Sequence, residues 1–346
     1  MIAIKIAQLA KGDPIKIMIF LGIVSAFASA LLDNVTTILL IFPISILIAE
    51  QLKIDFIPFL FTEIFSVNIG GAATLIGDPP NLIIGTKSGL GFNDFLFNMG
   101  PLVIINMFFF LALMVIFFHK KLHVSRLRKT KIMEMDSSRI IKDKILLNKS
   151  IFVFILVMIG FLSNVVTNIG LAIISISGAT LLIIITKENP EEIYKKIEWS
   201  TLFFFAGLFV LVDGLAATGL ISDIGDFILY ITKGDSKLTV ILTVITSTIF
   251  APIIGVVPYT ISFTKVIGEL IPQMGKDVAP LWWALSMGVC FGGNMTLIGA
   301  AANIVGVNIA KKAGKDIGFF YFFKFGVIIT LQSLVLSIIY LLVRYF

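Results

Sequence analysis

Cysteine, histidine and charge are all scarce in this sequence. Cys290 is the single cysteine, which excludes an intrachain disulfide and any metal site built from several thiolates. Two histidines and a charged fraction of 14% leave no Ser/His/Asp set, metal cluster or phosphate loop, so no enzyme reading is supported. The stretch Met1 to Lys16 is mildly basic but lacks a small-residue cleavage site, so it does not read as a signal peptide. What fills the chain is apolar: 58% of residues are hydrophobic and the mean hydropathy is +1.04. A soluble domain needs more polar surface than this. Apolar stretches of spanning length recur from end to end, which predicts a multi-pass, all-α protein of the cell membrane with the lipid bilayer as its partner. The 27 Lys and Arg outnumber 21 Asp and Glu, and they collect in loops between apolar segments. That is the positive-inside pattern, and no nucleic-acid partner is expected.

An internal repeat organises the chain. Gly70-Gly71-Ala72-Ala73-Thr74-Leu75-Ile76-Gly77-Asp78-Pro79-Pro80-Asn81 aligns with Gly292-Gly293-Asn294-Met295-Thr296-Leu297-Ile298-Gly299-Ala300-Ala301-Ala302-Asn303. Seven of the twelve positions are identical, at an offset of 222 residues (292 − 70). The same offset pairs Lys11-Gly12-Asp13 with Lys233-Gly234-Asp235 without a gap. We read residues 1–118 as a first copy, 119–150 as a basic cytoplasmic loop and 151–346 as the second copy, within one membrane domain. The crossing segment 199–218 has a counterpart that would begin before Met1, so the first copy is expected to be N-terminally incomplete.

The loops orient the copies. His119 to Ser150 carries ten Lys or Arg and is placed in the cytoplasm. Runs 151–167 and 171–186 go out and return, bringing Lys187 to Glu198 back inside. The run 199–218 then crosses outward, and Lys311, Lys312 and Lys315 fall inside only if 238–268 enters and leaves from the outer face. Its counterpart 15–49 then enters and leaves from the inner face, flanked by Lys5, Lys11, Lys16 and Lys53. Two copies inserted in opposite senses follow, each with a re-entrant helical hairpin and a broken transmembrane helix.

The breaks carry the chemistry. Gly70, Gly71 and Gly77 admit non-helical backbone, and Pro79 and Pro80 remove donors. Unwound backbone at membrane depth is tolerated where it is buried in protein or lines a cavity. Thr74, Asp78 and Asn81 add side-chain oxygens there; Gly292, Gly293, Asn294, Thr296 and Asn303 form the second break. The first hairpin tip offers Asp33, Asn34, Thr36 and Thr37, all hard oxygen donors suited to Na⁺ or proton exchange. Asp213 and Glu63 are further intramembrane acids, each weighed equally as a proton relay or as an interfacial residue. Trp282-Trp283 reads as an interfacial aromatic belt.

At these motifs the chain resembles the ion-transporter superfamily, in the branch of arsenite permeases, the P protein and citrate-transporter-domain proteins. The carrying residues are Leu32-Asp33-Asn34-Val35-Thr36-Thr37, the two Gly-Gly breaks, and Val257-Pro258-Tyr259-Thr260. The resemblance implies inverted repeats meeting at a central site, anion, oxyacid or cation transport driven by Na⁺ or H⁺, and a homodimer. No cofactor is expected beyond the coupling ion.

The second hairpin departs from the family pattern. It reads Gly255-Val256 where an Asp/Asn-Asn pair is usual, and Lys265 stands at the position equivalent to Pro43. A buried ammonium can stand in for a bound cation, so Lys265 is read as the substitute for a missing second cation site. Three functional readings stand side by side: transport of a small carboxylate or arsenite-like oxyacid, Na⁺/H⁺ antiport without an organic substrate, and a non-transporting truncated remnant or structural subunit. Lys265→Met is expected to change the Na⁺ dependence of transport. Equal Na⁺ dependence in wild type and variant contradicts the substitution.

Overall fold

The computed structural model describes residues 8–125, 129, 144–167, 169–195, 220–274 and 279–346, with isolated positions between 197 and 218. The crossing read over 199–218, with Asp213, and most of the basic loop lie outside the described residues. All regular structure described is helical. Asp13 starts the first helix by accepting hydrogen bonds from Ile15 N (3.2 Å) and Lys16 N (3.3 Å), and Pro14 supplies a preset first turn. That helix, α1 (Pro14–Leu31), turns at Asp33 into α2 (Asn34–Leu52). Then follow α3 (Ile57–Gly71), α4 (Pro79–Ser88) and α5 (Phe92–Phe118). Helices α6 (Lys144–Thr167), α7 (Leu171–Thr186), α8 (Pro190–Tyr194) and α9 (Leu220–Thr232) intervene.

The first five helices then recur in order. They are α10 (Ser236–Ile254), α11 (Val256–Met274), α12 (Ala279–Gly292), α13 (Ala301–Lys312) and α14 (Phe319–Tyr345). The starts 14/236, 34/256, 57/279 and 79/301 keep the 222-residue offset. The last pair shifts to 227 (319 − 92). Local backbone repeats as well: Lys11 and Lys233 are both left-handed, followed by left-handed Gly12 and Gly234 and by the capping Asp13 and Asp235.

Packing follows the same register. Helix α1 lies against α3 as α10 lies against α12. Small residues permit these approaches. A methyl group on Gly70 would overlap the Ala26 backbone, and one on Gly292 would meet the Thr248 carbonyl oxygen at 2.9 Å, and 26 and 248 are themselves equivalent positions. Between copies, α2 packs on α13 while α11 packs on α4, and α3 packs on α13 while α12 packs on α4. Each contact therefore occurs twice, with the copies exchanged. Phe61 stacks with Phe65 and Phe118 and packs tilted against Phe322 and Phe325, joining α3, α5 and α14 below the breaks.

Among the described residues, six helices are long and apolar enough to cross a membrane, including both arms of the first hairpin. Outward-facing positions such as Ile104 and Phe108 are more than 70% exposed, as helix faces in contact with lipid are. Contacts at the helix ends join segments that the charge pattern assigns to one face. Lys129 Nζ meets Asp13 Oδ2 at 2.8 Å and Lys315 Nζ meets Asp55 Oδ2 at 2.9 Å, both pairs from segments read as inner. Partial burial pushes the Asp13 carboxyl up, but the Lys129 ammonium and the backbone N–H groups of Lys16 and Ile15 outweigh it and hold the group below its usual range. Asn93 Nδ2 donates to Leu162 O at 3.0 Å and Tyr345 donates to Asn98 Oδ1 at 2.8 Å.

One expectation is corrected. Trp282 and Trp283 do not form an interfacial belt: both are buried, and Trp283 meets the Phe95 ring edge-on at 5.1 Å. Their position at the start of α12, which is enclosed along its length, outweighs their amphipathic character.

Gly70→Ala is expected to destabilise the protein by about 1–3 kcal/mol through overpacking. Gly268→Ala, on α11 with no atom within 4 Å of the added methyl, is expected to be neutral or mildly stabilising. Thermal unfolding in detergent separates the two, and equal losses contradict the close α1–α3 approach.

Candidate functional site

A broken helix frees carbonyl oxygens that hydrocarbon cannot satisfy, and here two asparagines satisfy them. Asn81 Nδ2 donates to Thr74 O (2.9 Å) and Ala72 O (3.3 Å) across the first break. Asn303 Nδ2 donates to Thr296 O (2.8 Å) and Gly293 O (2.8 Å) across the second. The threonines tie each break to its own hairpin: Thr74 Oγ1 donates to Ala30 O (2.5 Å), and Thr296 Oγ1 donates to Pro252 O (2.8 Å). These pairs too are equivalent at offset 222. Gly71 and Gly77 lie so close that a methyl on Gly77 would overlap the Gly71 carbonyl, and one on Gly299 would meet the Gly293 carbonyl at 2.6 Å. Only glycine closes the loops this tightly.

With both nitrogens spent locally, each asparagine turns its oxygen to the other copy. Asn81 Oδ1 accepts from Ser286 Oγ (2.7 Å) and Cys290 Sγ (3.4 Å) of α12. Asn303 Oδ1 accepts from Asn68 Nδ2 (2.8 Å) of α3, which also donates to Asn294 Oδ1 (2.9 Å). In the repeat register, Asn68 is the equivalent of Cys290. The Asn68–Asn303 and Cys290–Asn81 contacts are therefore one contact made twice, the self-complementary pattern that a two-fold axis produces. All of these side chains are buried.

Asn34 and Asp78 complete the junction on the first-copy side. With its amide assigned from its neighbours, Asn34 Nδ2 donates to Val67 O (2.9 Å) and Gly77 O (3.2 Å), beside the Ser29 hydroxyl. Asp78 precedes α4 but makes no capping bond; its buried carboxylate faces the Cys290 thiol and the Asn34 amide. The second copy has Ala300 there, so the start of α13 carries no acid. Asn294 Nδ2 is buried and has no partner among the described residues.

The remaining candidates sit elsewhere. Asp33 is exposed and caps α2, accepting from Thr36 N (2.8 Å) and from the Thr36 hydroxyl. It lines a cavity of about 740 Å³ with Leu32, Ile76, Leu82, Thr86 and Leu90. Thr37 is buried and donates to Asp33 O at 3.0 Å. Lys265 is half-buried midway along α11, whose hairpin turns at Gly255 with φ +108°. Glu63 is fully buried in α3. The junction thus joins Asn34, Asp78, Asn81, Asn294 and Asn303, and adds Ser29, Asn68, Ser286 and Cys290, which motif reading passes over. The repeat register holds a signal for two of them: Asn68 and Cys290 occupy equivalent positions just before the Gly-Gly pairs.

Asn68→Ala and Asn303→Ala are expected to couple in a double-mutant cycle by about 0.5–2 kcal/mol of unfolding free energy. Strict additivity contradicts the cross-copy bond.

Comparison with known proteins places the chain among transporters. Residues 1–288 match the citrate transporter family. A 46 kDa membrane protein of Mycobacterium leprae is 41% identical over 346 residues, covering 99% of this chain and 81% of that protein. An uncharacterized transporter of Mycobacterium tuberculosis is also 41% identical over 346 residues, with coverage of 99% and 80%. The P protein of Homo sapiens is 32% identical over 422 residues, spanning 99% of this chain and 50% of its own length.

Proposed function

The chain belongs to the citrate transporter family of membrane transporters, and from that premise we propose that it moves a small anion or oxyacid by secondary active transport. The substrate is a citrate-like carboxylate or an arsenite-like oxyacid, coupled to Na⁺ or H⁺ through alternating access. The reciprocal junction carries this reading. Two copies that exchange the same contacts can trade roles, so that a site between them opens first to one face and then to the other. In this reading the copies are inverted in the membrane, the hairpins are re-entrant and the breaks bind substrate and ion.

The chemistry of the junction favours an anionic substrate over cation exchange alone. The start of α13 presents the positive end of its dipole with alanine where α4 has Asp78, and Asn294 Nδ2 is an unpaired buried donor nearby in sequence. An anion supplies the acceptor that both lack.

The test is uptake into proteoliposomes with a citrate and arsenite panel under imposed Na⁺ or pH gradients. The expected result is gradient-driven accumulation of one solute, abolished by Asn81→Ala or Asn303→Ala. Exchange of Na⁺ for H⁺ with no solute moved supports the antiport reading instead. No flux of any kind supports the structural-subunit reading.

A further inference from the structure

Glu63 is a carboxyl group that the junction does not use. It lies on α3, fully buried, among Phe59, Leu60, Ile64 and Val67, which are fully buried as well. Oε1 accepts a hydrogen bond from the Ser45 hydroxyl on α2, and Oε2 has no partner among the described residues. Ser45 stands two residues beyond Pro43, the proline inside α2. Sequence position separates Glu63 from Asn68 by more than one helical turn, so it is a feature distinct from the Asn81–Asn303 junction.

A carboxylate removed from water needs compensating donors or an opposite charge. One hydroxyl is a single donor. Helices α1, α2, α5, α12, α13 and α14 all touch α3. Their described ionisable groups lie elsewhere: Lys16, Asp33, Glu50, Lys53, Asp94, Lys311, Lys312, Tyr321, Lys324 and Arg344 are exposed. Cys290 faces Asn81, and Tyr340 and Tyr345 donate to Asn98. None of these pairs with Glu63. A hard metal cation takes about six oxygens, whereas the described contacts give this site one carboxyl group and one hydroxyl. A proton needs only the carboxyl oxygen.

We propose that Glu63, positioned by Ser45, is a proton-binding site inside the membrane domain and carries the coupling proton of transport. Oε2 takes one proton from water on one face, becoming a neutral carboxylic acid while Ser45 still donates to Oε1, and returns it on the other face. The assignment deepens the transport reading and rests on it. It makes H⁺ the coupling ion and moves that task from Asp33, which serves as a helix cap, to a buried acid on the neighbouring helix.

The experiment uses the full-length chain in proteoliposomes, with two readouts. Infrared difference spectroscopy between alkaline and neutral pH is expected to show a carboxylic acid C=O band that disappears in Glu63→Gln. Citrate counterflow, which needs no net proton movement, is expected to survive in Glu63→Gln, while accumulation driven by a pH gradient is lost. An unchanged band, or accumulation equal to wild type, overturns the assignment. If wild type moves no citrate at all, the carboxylate half of the substrate reading fails, and the infrared band alone decides whether Glu63 binds a proton. If Glu63→Gln fails to fold, Ser45→Ala retains the carboxyl and is expected to shift its band by removing the donor. A band unshifted in that variant overturns the Ser45–Glu63 site.

Discussion

Everything in this protein turns on how a broken helix is made tolerable inside hydrocarbon. Each unsatisfied carbonyl there costs several kcal/mol, and each break frees carbonyls that the continuing helix no longer reaches. Asn81 and Asn303 answer that cost from within their own breaks, each with one amide nitrogen shared between two carbonyls. The consequence is geometric. An amide whose nitrogen faces home must turn its oxygen outward, and in both copies that oxygen meets the other copy. The stabilisation of the break and the construction of the inter-copy junction are one arrangement.

The copies are equal in frame and unequal in chemistry. Threonine braces, Gly-Gly approaches and asparagine bridges repeat at a fixed register. Asp78 against Ala300, Asn68 against Cys290 and Pro43 against Lys265 do not repeat. A transporter built this way can exchange conformations through its shared frame while keeping separate tasks at the differing positions. Asp78 stays with the first copy, and the acid-free start of α13 with the second.

Much of this was legible in the sequence because the repeat is carried by backbone-determining residues. Glycine and proline at 70–80 mark a break wherever they occur in an apolar helix, and a second Gly-Gly pair at the same offset marks its partner. The helix starts then follow from Asp13, Asp33 and Asp235, whose short carboxylates cap. Partnerships across the copies were not legible. Asn68 reads as one polar residue in an apolar helix, and Cys290 as a small packing residue, until the fold brings them to Asn303 and Asn81. Trp282 and Trp283 mislead for the same reason: composition gives their preference for an interface, but burial of the whole of α12 decides their place. Asp33, prominent as a motif residue, is engaged locally with Thr36.

The loop charges predict that the two copies face the membrane in opposite senses around this junction. Lys11 and Lys233 are equivalent in sequence register, share left-handed backbone and precede capping aspartates, so they report the two orientations at one matched point. Introducing cysteine at each in turn, in a Cys290→Ser background, allows labelling with a membrane-impermeant thiol reagent in intact cells and in inverted vesicles. Inverted copies predict that Lys11→Cys reacts only from the cytoplasmic side and Lys233→Cys only from the outside. Reaction of both positions from the same side contradicts the account.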